Sequence, residues 1–104
     1  MSIVTLAKCS SYDADLTAAL RALLEPLGGM GAFVSSGQTV LIKPNMLTDR
    51  DPDEAVTTHP ELVRAVIREV RAAGGIPSVG DSPASAVKID RVMEQTGFVA
   101  LCQE

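Results

Sequence analysis

Apolar residues along this chain change their period in a regular order. Ile3-Val4-Thr5-Leu6-Ala7 is apolar and β-branched, as a strand requires. Leu16, Ala19, Leu20, Leu23, Leu24 and Leu27 then recur at helical spacing behind Asp13, a suitable N-cap. Gly28-Gly29 ends this helix, because glycine accepts the left-handed conformation of a helix end, and Gly37 marks the turn into Thr39-Val40-Leu41-Ile42. That second strand is continuously apolar, which suits a strand covered on both faces.

Residues 46–57 are polar and lack periodicity, with Asp49-Arg50-Asp51-Pro52-Asp53-Glu54 at their centre; this predicts an exposed loop of lid length. Thr58-His59-Pro60-Glu61 fits a capping box, with Thr58 as the capping hydroxyl, Glu61 reaching back, and Pro60 in the first turn. Leu62, Val63, Val66, Ile67 and Val70 give the following helix its apolar stripe, and Arg64, Arg68 and Arg71 fall on its wet face. Gly74-Gly75 ends it. Ile76-Pro77-Ser78-Val79 predicts a short third strand, whose proline points to an edge or to the strand's first residues. After Gly80-Asp81-Ser82-Pro83, Val87, Val92 and Met93 suit another helix, closed by Gly97. Phe98, Leu101 and Cys102 begin a further helical turn without a cap.

This alternation predicts an α/β fold: a three-layer, mainly parallel sheet of βαβαβα type in a single unit, 1–104. Three parallel strands are few for a sheet covered on both faces. The expectation is therefore the amino-terminal part of a larger domain, or a half-domain that completes its sheet with a partner chain or as a homo-oligomer through an exposed edge.

Composition narrows the functional classes. The chain has 104 residues, 46% hydrophobic and 21% charged, with formal net charge −4. Nine Lys and Arg spread along the sequence do not make a nucleic-acid surface. No apolar run reaches the roughly 18–20 residues of a membrane span, and the N-terminus lacks a basic segment followed by an apolar one, so no membrane and a cytoplasmic location are expected. Cys9 and Cys102 lie far apart without CxxC spacing and read as reduced packing residues.

The candidate chemistry sits where buried elements meet loops, the place where open α/β sheets bind ligands. Lys43 ends the second strand and would present a fixed cation to a carboxylate or phosphate, with Asn45 orienting the same ligand; the plainer reading is a lysine snorkelling from a strand end. His59, the single histidine, would be a ligand or acid-base group at a helix N-terminus, or simply a first-turn residue. Asp81, next to Ser82, would bind a metal or polar substrate, or hold its own turn. Thr58 joins this set, although capping alone accounts for it. A metal would be held by Asp81 and His59; a zinc site would also need a cysteine, and Cys9 is the one near a strand end. There is neither a GxGxxG nor a Walker motif, and one histidine without a nearby cysteine argues against nucleophilic hydrolysis.

Val40-Leu41-Ile42-Lys43-Pro44-Asn45, Thr57-Thr58-His59-Pro60-Glu61-Leu62-Val63-Arg64-Ala65-Val66 and Gly80-Asp81-Ser82-Pro83 together resemble the amino-terminal part of the DUF362 family of uncharacterised prokaryotic proteins. Gly28-Gly29-Met30 and Ser36-Gly37-Gln38 extend the likeness. The resemblance implies a domain about twice this length, often associated with a ferredoxin-like domain holding two [4Fe-4S] clusters. The cluster-binding cysteines would lie in a downstream segment, so no cofactor is expected within this chain. The family usually has glycine where this chain has Ala84, which affects how closely a ligand approaches that backbone. The functional expectation is a DUF362-like protein, part of an iron-sulfur or electron-transfer protein, whose crevice of Lys43, Asn45, Thr58, His59, Asp81 and Ser82 binds a small anionic ligand or a metal. The alternatives are an enzyme of unknown reaction using Lys43, His59 and Asp81, and a non-catalytic half-domain.

Overall fold

Helix α1, Ala14–Leu24, starts where Asp13 caps it: the Asp15 amide donates to Asp13 Oδ1 at 3.1 Å. The computed structural model describes residues 2–82 and 88–104. The expected features at Pro83, Ala84 and Val87 therefore lie outside the described residues. The chain divides into two units, Met1–Val40 with Ala65–Pro77, and Leu41–Arg64 with Ser78–Glu104.

In the first unit, α1 gives way to a 3-10 turn, Glu25–Leu27, and Gly28 takes φ 98° while the Gly29 amide returns to Leu24 C=O at 2.9 Å. The stripe of α1 is half-buried, and the unit's core is Val34, Ala65, Ile67 and Val70. Gly75 is required by close approach: a Cβ there would stand 2.6 Å from Val34 Cγ1 and 2.8 Å from Val70 Cγ1. Arg21 Nε reaches the nearly buried Glu69 carboxylate at 2.8 Å.

In the second unit the core is Met46, Val63, Val92, Phe98 and Leu101, with Thr96 buried among them and its hydroxyl returned to Val92 C=O. Helix α3, Ile89–Gln95, and helix α4, Phe98–Cys102, are separated by Gly97 at φ 84°. The last helical turn is thus anchored by Phe98 and Leu101, which explains why it forms although no side chain caps it.

Strands β1, Thr39–Ile42, and β2, Ile76–Val79, pair with each other. The Ile76 amide donates to Gln38 C=O at 2.8 Å and the Gly80 amide to Ile42 C=O at 3.1 Å. Because the offset along the chain is the same at both ends, the register is parallel. Helix α2, Pro60–Ala72, is the crossover between them. The α/β class is therefore present. Its expected first strand is not: residues 3–7 carry no strand pairing here, and Val4 and Leu6 are 92% and 97% exposed. A β-branched run is only a strand when a ladder partner fixes it. Nor is β1 covered on both faces, since it alternates between exposed and half-buried positions and leaves Leu41 67% exposed.

Two side chains also depart from expectation. Arg64 does not lie on a wet face; its side chain is 20% exposed and holds Glu61 and Glu104, which push its guanidinium further into the charged form. Cys9 and Cys102 are free, as expected, but exposed and not packed.

Candidate functional site at the strand carboxyl ends

Parallel pairing brings the residues after β1 and β2 to the same edge of the second unit, and this places Lys43 against Asp81. Lys43 Nζ lies 2.8 Å from Asp81 Oδ1 while its side chain remains 69% exposed. The other oxygen, Oδ2, accepts the Met46 amide at 3.0 Å, and the side chain of Asp81 is only 7% exposed. The Lys43 ammonium beside it, with the amides of Met46 and Ser82, holds the Asp81 carboxyl at about 2, below its ordinary 3.8. Asp81 is thus a fixed counter-ion that ties the first residue after β1 to the second residue after β2, and both of its oxygens are engaged. Ser82 is exposed at the rim.

Asn45 makes the second connection. Its amide donates to Thr58 Oγ1 at 2.8 Å, its carbonyl accepts the Thr58 amide at 3.0 Å, and its side-chain Nδ2 donates to Val56 C=O at 3.1 Å. These three bonds close the base of the 46–57 loop. The loop is not wholly exposed: Met46 and Thr57 at its two ends are buried. Its middle is ordered by a 3-10 turn, Pro52–Glu54, where Asp51 and Glu54 form a reciprocal capping box. Asp49 is further paired with Arg91.

The capping box expected at Thr58 and Glu61 is replaced by another arrangement. The Thr58 hydroxyl serves Asn45, and the cap of α2 is His59, whose Nδ1 accepts the Glu61 amide at 3.1 Å. The amides of Leu62 and Val63 turn to His59 C=O at 3.1 and 3.4 Å. The first-turn amides of α2 therefore already have acceptors, and Pro60 has none to offer. With Nδ1 an acceptor, a neutral His59 ring carries its hydrogen on Nε2, so Nε2 could bind a metal only if the cap were given up. Among the described residues no group of three or more His, Cys, Asp or Glu side chains is placed to hold a metal ion.

The fold thus joins Lys43 to Asp81, and Asn45 to Thr58 next to His59, within one unit. Sequence reasoning passed over Thr57, which is 7% exposed with its hydroxyl buried and without a hydrogen-bond partner among the described residues. Two adjacent threonines before a helix invite the capping assignment, and no periodicity separates the buried one from its neighbour.

The family described as a domain of unknown function, DUF362, matches residues 40–104, which include every site residue above. The chain belongs to the DUF362 family. Over 101 residues it is 50% identical to the thylakoid-associated protein sll1697 of Synechocystis sp., covering 96% of this chain and 31% of that protein. This DUF362 chain therefore spans about a third of the length of that relative. No solved structure matches it. Among the described residues no helix is long and apolar enough to cross a membrane.

Proposed function

We propose that the strand-end site of this DUF362 chain binds a small oxyanion through Lys43, with Asp81 as its positioning residue. The observation that carries this reading is the Lys43–Asp81 pair. A carboxylate with little exposure fixes one side of an ammonium whose side chain is 69% exposed. An exposed lysine held in one orientation loses less rotamer freedom on binding than a free one, which offsets part of the attraction that the paired Asp81 carboxylate takes from an approaching anion. A metal is less well served, because Asp81 has both oxygens occupied and His59 is committed to its cap.

Melting the chain against inorganic phosphate and acetate tests this. The wild type should be stabilised in a saturable way by at least one anion, and Lys43→Met should lose that response while keeping its fold. No response to either anion, or an equal response in Lys43→Met, would overturn the reading, and stabilisation by zinc alone would favour the metal.

A second reading rests on the sheet. Ile3, Val4, Leu6, Leu41 and Ile76 are exposed apolar residues, and β1 and β2 form a two-stranded sheet. We infer that residues 3–7 are the first strand of a three-layer βαβαβα sheet completed by further chain, either the same polypeptide, as the length of the relative supports, or a second copy. An iron-sulfur role would then belong to that further part. The name of the thylakoid-associated relative supports a location close to a membrane for this chain.

A further inference from the structure

We propose that Thr57 is a ligand contact of this site, its hydroxyl bonding the bound oxyanion when the 46–57 loop opens; this rests on the anion-binding reading above. Thr57 is 7% exposed and its Oγ1 is buried without a hydrogen-bond partner among the described residues. Burying a hydroxyl unpaired is costly, whereas valine would fill the same space without that cost. Local backbone groups do not relieve it. The first-turn amides of α2 are taken by His59 Nδ1 and His59 C=O. Val56 C=O and both the amide and the hydroxyl of Thr58 are taken by Asn45. These same bonds pin the backbone on either side of Thr57, so the residue cannot shift to find a partner.

A buried unsatisfied group in a folded protein calls for an explanation, and a role in binding or catalysis is one that accounts for its being kept. Here the group lies two residues before the cap of a 13-residue helix and in the segment bonded to Asn45, itself two residues beyond Lys43. The helix amides being engaged, this end of α2 can meet an oxyanion only with side-chain donors, and the Thr57 hydroxyl is the one that is buried without a partner among the described residues. Because Oγ1 is covered in the closed form, a ligand reaches it only after the Asn45 bonds release, which makes binding gated.

The test is a pair of variants, Thr57→Val and Thr57→Ser, melted with and without inorganic phosphate and acetate. Without anion, Thr57→Val should melt higher than the wild type by about 4 °C or more, the shift expected on removing one unsatisfied group. With the anion that stabilises the wild type, Thr57→Ser should respond as the wild type does, and Thr57→Val should bind at least tenfold more weakly. If Thr57→Val melts lower without anion, the hydroxyl already has a partner and the proposal fails. If it melts higher yet keeps the full anion response, the hydroxyl is no contact and the Thr57 proposal alone fails. If the wild type itself shows no response, the anion-binding reading fails and this one with it.

Discussion

Asp81 decides how the strand ends behave in acid. Its folded carboxyl titrates at about 2, below the ordinary 3.8, so its contribution is fully present above about pH 4 and is lost as pH falls toward 2. Stability measured by urea denaturation should therefore decline across that window in the wild type. Asp81→Asn, which cannot ionise, should lower stability at pH 7 and flatten the decline. At His59 the expectation concerns a cap. Alanine there removes the acceptor of the Glu61 amide and should cost about 1 kcal/mol in urea midpoint experiments, whereas asparagine should recover most of it. Lys43, Asn45, Thr58 and Asp81 were legible in the sequence because each stands at a strand or helix boundary. Their partners were not: which oxygen Asp81 gives to Met46, and which threonine Asn45 takes, are set by contacts 35 and 13 residues apart.

Elements were read well where the period was long or the punctuation strong. The helix at Pro60–Ala72 follows from its stripe, and Val63, Ile67 and Val70 are the buried positions that stripe predicts. Glycines marked the ends correctly, Gly74 at φ 87° and Gly97 at φ 84° among them. The segment 3–7 shows the limit of such reading, since strand propensity says what a segment would do beside a partner and not whether one is there. Packing at the α2 end predicts that Gly75→Ala will be destabilised by about 1–3 kcal/mol, the usual cost of forcing a methyl against filled core positions. Thermal or urea unfolding would check it; an unchanged midpoint would mean that Val34 and Val70 can give way.

For the whole molecule, the two strands of the sheet leave apolar side chains in water. Val4 and Leu6 are almost fully exposed, and Leu41 and Ile76 add to them from the strands. Under the sheet-completion reading, the isolated chain should self-associate with rising concentration in sedimentation experiments, and Leu6→Lys with Leu41→Lys should return it to the monomer without lowering its melting temperature. A chain that stays monomeric at high concentration would count against a second copy as the missing layer.

The hydrogen bonds of Asn45 also have a polymer consequence. They shut the 46–57 span at its base, between residues 13 positions apart, so the entropy of closing that span is settled at Asn45 and Thr58 and depends only weakly on what lies between them. Doubling the span would add only about 0.6 kcal/mol to its closure. The tip around Asp51–Glu54 is therefore an exchangeable cassette. Other sequences and lengths can be grafted there while the strands and helix beneath it keep their places.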